Sequence, residues 1–251
     1  MDAKTPETPK AAELSLPQAF LLLATNDLDG TPEVPLFALR TTVAGAVLAE
    51  LDLIGAIKLE GKNVRATGAV PKTDCQHELE LIRGKSRPHT PKRWVSMLEG
   101  RAEVQRVYEG MAALGIVEHV GEKHLGLFKS TRYPEKDHAP EAALLAKIGA
   151  ALTGAPSKPA VPDSVVPDSG APEVKAPVAG TPAPAQPDAK APDARTTALV
   201  ALLQAAGLLG KLVPAADKIR ASKRAKDYWP SRAVEDELRM IRLAEEEEPG
   251  I

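Results

Sequence analysis

The 251-residue sequence has one cysteine, Cys75, few aromatic residues and no long uninterrupted apolar run. A single thiol cannot form an intramolecular disulfide, and no other thiol is present to complete a cysteine zinc site. The most apolar segment, 196–213, is interrupted by Gln204, by Lys211 and by glycines, which argues against a membrane span. The N-terminal residues carry charge without an apolar run and so do not form a signal peptide. We therefore expect a cytoplasmic protein in a reducing compartment.

Aromatic side chains make up only 3% of the chain, whereas hydrophobic residues make up 43%. The core must be filled by Ala, Leu and Val, which suits helix packing better than a β-sandwich. The formal net charge of -2 gives no overall positive field for nucleic acid or an anionic bilayer, so either kind of binding requires a local basic patch. The composition thus predicts a mainly α protein.

The composition changes sharply at two places along the chain. Residues 1–13 and the Pro- and Ala-rich residues 156–193 lack apolar periodicity, and we predict that they form a disordered tail and a disordered insert. The segment 194–245 returns to apolar helical spacing that needs a partner surface. We interpret 14–155 and 194–245 as one domain interrupted by the insert. A separate helical tail is the alternative.

Helices followed by small hairpins are the main pattern of the ordered part. Ser15 is the expected cap of a first helix that ends near Asn26. The run RTTVAGAVLAELDLIG predicts a helix ended by Gly55, with strands AIKLEG and NVRATG after it. A second copy has a helix ended by Gly115, then strand IVEHV, turn GEKH and strand LGLFKS. Between the copies, Thr90 caps a predicted short helix. The prediction is a helical bundle with winged-helix-like units.

Five sequence blocks, in this order, resemble the Golgi phosphoprotein 3 family, including its bacterial relatives. They are LSLPQAFLLLATNDLDG, GAVLAELDLIGAIKLEG, PKRWVSMLEG, MAALGIVEHVGEKHLGLFKSTRYP and TTALVALLQAAGLLGKLV. The resemblance covers nearly all of 14–150 and 195–243. It implies a helical bundle with hairpins on the cytosolic face of a membrane, holding phosphatidylinositol 4-phosphate in a basic pocket. For eukaryotic members it also implies a role as adaptors for Golgi glycosyltransferases.

The headgroup site that the resemblance implies has a Trp and an Arg near the second helix and two Arg three residues apart on a later helix. In an alignment without gaps, the Trp and the first Arg fall at Pro35 and Ala44. The later pair falls at Arg101 and Val104. Arg101 is therefore the one match to the family's site.

Two further arginines lie near these positions. Arg40 is one helical turn before position 44, and Arg106 is on the same predicted helix as Arg101. A dianionic phosphate needs several convergent donors, so we predict a headgroup site formed by Arg101, Arg40 and Arg106. The alternative is that all three are solvated surface charges.

Motifs of catalysis and metal binding are missing from the sequence. It contains no Gly-rich phosphate loop after a strand and no HExxH, and its five histidines show no ligand spacing. Asp27, Asp29 and Gly30 resemble the start of a calcium loop, but the later oxygen ligands and the terminal Glu are absent, which favours a plain turn. We predict no enzyme activity, no metal site and no cofactor.

Two basic clusters are candidate membrane contacts. The first lies in IRGKSRPHTPKR, and the second lies in DKIRASKRAKDYWPSR, where it precedes Tyr228 and Trp229. Each cation near an anionic leaflet contributes about 1 kcal/mol, and aromatic residues suit the interface. Because the acidic stretches EDEL and EEEE follow the second cluster, a salt-bridged helix surface is the alternative.

Together these features predict a peripheral protein that binds phosphatidylinositol 4-phosphate reversibly at an anionic membrane surface. The alternative is an adaptor that binds protein clients and no lipid. A winged-helix DNA binder is less favoured, and nucleic acid is not an expected partner, because phosphate would repel the candidate recognition helix. The apolar and acidic residues of that helix are Leu48, Glu50, Leu51, Asp52 and Leu53. The sequence does not predict the oligomeric state.

Overall fold

The computed structural model describes residues 14–69, 71–124, 128–153, 193–214 and 228–247. Within these ranges the chain is mainly helical with two antiparallel hairpins, which confirms the predicted fold class. The helices are α1 (Leu16–Leu23), α2 (Leu36–Leu53), α3 (Gln76–Gly84), α4 (Pro91–Leu98), α5 (Arg101–Ala113), α6 (Ala139–Thr153), α7 (Ala194–Ala205), α8 (Leu209–Leu212) and α9 (Trp229–Glu247). The strands are β1 (Ile57–Glu60), β2 (Asn63–Ala66), β3 (Val120–His124) and β4 (Phe128–Arg132).

Helix α1 begins at the predicted cap, where the Ser15 amide donates to the Gln18 side chain at 3.0 Å. All of its residues are buried, as expected for a helix surrounded by other helices. It ends at Leu23, before the predicted end near Asn26. The reason is that the Asn26 side chain accepts from the amides of Leu28 and Asp29, at 3.1 and 3.2 Å, and so stabilises a turn.

Helix α2 is the centre of the fold and packs against α1, α4, α5, α7, α9 and β1. Its buried side chains contribute to two core clusters, with Val43 in the first and Leu48 in the second. Gly45 permits close packing of α9, because a Cβ atom there would lie 2.1 Å from Cγ2 of Val234. The helix therefore joins the two clusters.

The segments before and after residues 154–192 share the first core cluster. Leu199 and Leu202 of α7 and Val234 of α9 belong to it together with Phe20 of α1. Helix α7 is capped by Asp193, whose carboxylate accepts from the amide of residue 196 at 2.6 Å. The predicted tail, and the predicted insert apart from its last residue, lie outside the described residues. Their disorder stays a prediction.

The first predicted hairpin is confirmed. Strands β1 and β2 pair from Ile57 with Ala66 to Glu60 with Asn63. Gly55, which ends the preceding helix, has a positive φ of 70°, a conformation that glycine adopts without strain. The predicted short helix also forms as α4, with Thr90 accepting from the Arg93 amide at 3.3 Å.

The second hairpin is shifted along the chain, so the predicted strand IVEHV and turn GEKH are wrong. The residues GEKH lie inside β3, which begins at Val120 and pairs with β4. Ile116 and Val117 are instead buried in the core, and Val117 forms an isolated bridge with Glu135. Because this segment is anchored before the hairpin starts, the strands begin later than the local pattern indicates.

No helix in the described part of the chain is long and apolar enough to cross a membrane.

Candidate functional site

A cavity of about 310 Å³ opens between α2, α5 and the end of β4. Arg40 of α2 and Arg101 of α5 both line it, so the structure brings together two of the three predicted headgroup residues. The apolar and aromatic part of its lining includes Leu36, Leu39, Val104, Tyr108 and Tyr133. The cavity thus combines two cations with a largely uncharged wall.

The two arginines are positioned by helix starts. Arg40 lies in the second turn of α2, which begins after Pro35, and is half-buried. Arg101 is the first residue of α5, after the cap Gly100, and is exposed. The first amides of a helix have no intrahelical partner and carry partial positive charge. An anion in this cavity would therefore lie close to two guanidinium groups and to the start of α5.

A stacked pair of tyrosines forms one wall of the cavity. The rings of Tyr108 and Tyr133 are parallel, with centroids 4.2 Å apart. The hydroxyl of Tyr108 is 2.7 Å from Oγ1 of Thr25, and Tyr133 donates to the Glu109 carboxylate at 2.9 Å. Burial raises the pKa of both phenols, so they stay neutral near neutral pH. These contacts hold the wall in one arrangement.

The loop between α1 and α2 completes that wall. Gly30 has a positive φ of 67°, and a Cβ atom there would lie 2.3 Å from the backbone nitrogen of Pro134. The amide of Tyr133 donates to the Gly30 carbonyl at 3.3 Å. A side chain at position 30 would push the loop away from the tyrosine, so glycine is needed for this close approach.

One carboxylate lies near Arg40. Thr41 donates to Oε2 of Glu99 at 2.8 Å. Burial raises the pKa of Glu99, and the Thr41 hydrogen bond and the charge of Arg40 oppose that shift. Arg40 is therefore close to an acidic group, but it still lines the cavity and can contact an anion there.

The structure does not place Arg106 at this cavity. Its guanidinium lies 2.5 Å from carboxylate oxygens of both Glu78 and Glu103. The Glu78 side chain is only 1% exposed, so Arg106 compensates a buried charge. Arg106 follows Arg101 by five positions on α5, and in an α-helix two side chains at this separation point about 140° apart around the helix axis. Arg106 therefore points away from Arg101.

The remaining positions implied by the family resemblance differ in their surroundings. Pro35 is the exposed cap of α2, and Val104 lines the cavity. Ala44 is fully buried in the second core cluster and contributes nothing to the cavity. Cationic groups at the cavity thus come from Arg40 and Arg101.

Sequence reasoning missed the aromatic wall. Gln105 and Tyr108 follow Arg101 at helical spacing on α5, and this periodicity is a signal that predicts a shared face. Tyr133 gives no such signal, because it comes from the segment after β4 and reaches the cavity through tertiary packing.

The first basic cluster is partly engaged in contacts within the chain. Arg83 donates to the carbonyl of Ala69, and Lys92 lies 3.8 Å from Oε2 of Glu237. Lys85, Arg87 and Arg93 are exposed. The cluster therefore keeps some exposed cations, but they do not converge on the cavity that Arg40 and Arg101 line.

The second basic cluster lies mostly in residues 215–227, outside the described residues. The two aromatic residues that follow it are half-buried. Trp229 donates to Oδ2 of Asp52 at 3.2 Å and packs against the second core cluster, and Tyr228 packs against the first. Both rings therefore contribute to the junction of α9 with α2.

Comparison with known families gives one finding for the chain as a whole. Residues 16–241 match the family model described as Golgi phosphoprotein 3 (GPP34). The match begins with α1 and extends into α9, so it includes the second core cluster, all of the first except Leu14, and the cavity. No curated protein matches the chain.

Proposed function

Because the chain belongs to the Golgi phosphoprotein 3 family, we propose that it is a peripheral membrane protein whose Arg40–Arg101 cavity binds the headgroup of phosphatidylinositol 4-phosphate. The observation that carries the proposal is that Arg40 and Arg101, from two different helices, line one cavity of about 310 Å³. The family match adds the expectation of a phosphoinositide ligand.

The chemistry of the cavity suits a phosphate monoester. Guanidinium groups form paired, charge-assisted hydrogen bonds with phosphate oxygens, and the start of a helix favours an anion. Arg40 and Arg101 supply the guanidinium groups, and the first turn of α5 supplies the helix start. The stacked pair of Tyr108 and Tyr133 gives an apolar wall for the C–H face of an inositol ring.

The rim of the cavity also suits a membrane surface. Leu36, which lines the cavity at the start of α2, is 56% exposed. An exposed leucine beside a cationic site can enter the interfacial region of a bilayer, where apolar burial adds to electrostatic attraction. The proposed orientation places this rim against the lipid headgroups.

The test is co-sedimentation of the full chain with neutral vesicles, with generally anionic vesicles and with vesicles containing phosphatidylinositol 4-phosphate, at physiological salt. The test variant is Arg40→Ala/Arg101→Ala. The matched control is Lys62→Ala/Lys72→Ala, which also removes two positive charges, but from exposed positions that belong neither to the cavity lining nor to either basic cluster.

We expect selective binding to the phosphoinositide vesicles, at least tenfold weaker in the Arg40 and Arg101 variant, because each charge-assisted hydrogen bond contributes about 1.5–3 kcal/mol. The control should bind like the wild type. Selective binding that persists without both cavity arginines, or that is lost in the control, would contradict the assigned site.

A protein adaptor that binds no lipid is the second candidate. The observation that favours it is an exposed apolar pair on α9, Met240 and Leu243, which lie one turn apart on the same face. Absence of binding to every vesicle type, together with normal folding, would favour this function over lipid binding.

A further inference from the structure

Four side chains converge where the loop after α1 meets the start of α6. They are Asp27, Glu135, His138 and Glu141, and one carboxylate oxygen or imidazole nitrogen from each lies within 4.8 Å of the others. From this geometry we infer that the carboxylate–histidine cluster formed by these four residues binds a divalent first-row transition cation such as Zn²⁺. None of the four lines the Arg40–Arg101 cavity, so the site is independent of the proposed headgroup site.

A buried oxygen in the cluster lacks a hydrogen-bond partner. The side chain of Glu135 is only 3% exposed, and its Oε2 is bonded to Nδ1 of His138. Its Oε1 is buried without a partner among the described residues. Leaving a buried oxygen of this kind without a partner is unfavourable. A cation coordinated at the cluster would satisfy it.

The set of donor atoms fits the proposed class of ion. Zinc binds His nitrogen at about 2.0–2.1 Å and carboxylate oxygen at about 2.0–2.2 Å, with four ligands in a tetrahedron. Ligand atoms in that geometry lie roughly 3.3 Å apart. Nδ1 of His138 is already 3.9 Å from Oδ2 of Asp27, so small rotations of the side chains would complete the site. The imidazole favours a transition ion over Ca²⁺, which prefers oxygen ligands.

Backbone contacts hold the donors in place. The amide of Glu135 donates to the carbonyl of Asp27 at 3.0 Å, which joins the two segments that carry the ligands. The Asp137 carboxylate accepts from the amide of Ala139 at 3.0 Å and fixes the start of α6, where Glu141 lies in the first turn. A metal site needs this kind of support, because its ligands must be oriented before the ion arrives.

The cluster is also open to a hydrated ion. Asp27 and Glu141 line a surface cavity of about 380 Å³, and the His138 side chain is exposed. Three carboxylates at short range repel one another, so a divalent charge between them is favourable. A hydrated divalent cation can therefore reach the cluster from solvent, and its charge would relieve the repulsion among the three carboxylates.

The site differs from the calcium loop that the local sequence resembles. Asp29 takes no part in it, because its carboxylate accepts from the amide and the hydroxyl of Thr31 at 2.8 and 2.6 Å. The ligands instead come from segments more than a hundred residues apart, which no local motif can indicate. The prediction of no metal site rested on such motifs.

The test is calorimetric titration of the chelator-treated full chain with Zn²⁺, followed by thermal unfolding with and without the ion. The test variant is His138→Ala/Glu141→Gln. The matched control is His77→Ala/Glu80→Gln, which changes the same residue types at the same spacing on an exposed face of α3. Circular dichroism checks that each variant is folded.

We expect one equivalent of Zn²⁺ to bind the wild type and the control and to raise their unfolding temperature. Affinity should fall at least tenfold in the test variant. Absence of saturable binding to the wild type, or equal binding by the folded test variant, would overturn the proposal. The cluster would then be a set of carboxylates that share a proton.

A conservative variant guards against loss of folding. Glu141→Gln removes one of three negative charges without changing size, so the metal-free variant should unfold at the same temperature as the wild type or higher, while Zn²⁺ stabilises it much less. Full stabilisation by Zn²⁺ in this variant would exclude Glu141 as a ligand. In the wild type, bound Co²⁺ should show the strong visible absorption of tetrahedral coordination, and weak octahedral bands would contradict the four-ligand site.

Discussion

Glu50 is a buried carboxylate that joins three helices at one point. Its Oε2 accepts from the amide of Leu16 at 2.8 Å, and Arg195 donates to both of its oxygens at 2.6 and 2.9 Å. Arg195 also donates to the carbonyl of Leu14 at 3.1 Å. The glutamate of the ELDLIG motif therefore fixes the start of α1 and of α7 against α2, which gives this motif a structural role.

Replacement of this carboxylate should lower stability. In Glu50→Gln, the charge of Arg195 loses its buried carboxylate partner, and we expect the free energy of unfolding to fall by about 2 kcal/mol. The loss is smaller than for a fully buried pair, because the Arg195 side chain is 34% exposed. Urea unfolding measures this change. The control Glu60→Gln affects an exposed pair with Arg65 and should change stability by less than about 0.5 kcal/mol. Equal effects of the two variants would show that the buried pair contributes no more than the exposed one.

At the scale of single residues, the sequence indicated part of the candidate site. Arg40 and Arg101 could be chosen because helical spacing and a family pattern both act locally. Arg106 was chosen because it shares a helix with Arg101, but its helical offset directs it to another side of α5, where it pairs with Glu78 of another helix. Tyr133 could not be found in this way, because its position depends on how the segment after β4 folds over the Gly30 loop.

At the scale of secondary structure, α2 shows how one element organises the rest. It is buried on nearly all sides and so lacks the polar face that a surface helix has. Its contact with α9 depends on Gly45, where the Val234 side chain occupies the space of a Cβ atom. The sequence alone shows only a glycine in a helix, which normally weakens it.

An alanine at this position should destabilise the protein despite its better helix propensity. In Gly45→Ala, the added methyl group has to displace Val234 or separate α9 from α2, and overpacking of this kind costs about 1–3 kcal/mol. Thermal and urea unfolding measure the loss. The additional change Val234→Ala should restore part of the stability, because it removes the clashing methyl groups.

Gly149 provides the matched control, because it is also a helical glycine but, among the described residues outside its own stretch of helix, no atom lies within 4 Å of its ideal Cβ position. Gly149→Ala should leave stability unchanged or raise it by up to about 1 kcal/mol through helix propensity. If Gly45→Ala behaved like Gly149→Ala, the close packing of α2 and α9 would not limit this position.

The secondary structure was predictable where local signals determine it. Thr90 and Pro91 indicate the start of α4, and Gly55 indicates the end of α2, because caps and positive φ angles act within a few residues. The start of the second hairpin was not predictable in this way, because Ile116 and Val117 are buried in the core and Val117 pairs with Glu135 from a later segment. Tertiary burial overrides the alternating pattern there.

At the scale of the whole molecule, two carboxyl groups connect stability with pH. Burial and the Glu78 carboxylate raise the pKa of Glu103 to about 7, with Arg106 opposing the shift. Burial and the carboxylates of Asp27 and Glu135 raise the pKa of Glu141 to about 7. Both groups have an ordinary value of 4.5 when unfolded, so the folded chain binds more protons between these values.

The sign of the pH dependence follows from this difference in bound protons. Where the folded state holds more protons than the unfolded state, stability falls as the pH rises. We therefore expect the free energy of unfolding of the metal-free protein to decrease from about pH 5 to about pH 8, because each carboxyl group loses its proton and leaves a charge among acidic neighbours. Urea unfolding at several pH values measures this slope.

Glu103→Gln separates the two contributions, since the amide keeps a polar contact with Arg106 and cannot ionise. The slope of stability against pH should become shallower in this variant. Its free energy of unfolding should exceed that of the wild type by the largest amount above about pH 7. Part of the slope should remain, because Glu141 still titrates. Addition of Glu141→Gln should make the slope shallower again. A wild type whose stability rises over this range would mean that other carboxyl groups with lowered pKa values outweigh these two, and that the acidic neighbours of Glu103 and Glu141 do not control the folded state near neutral pH.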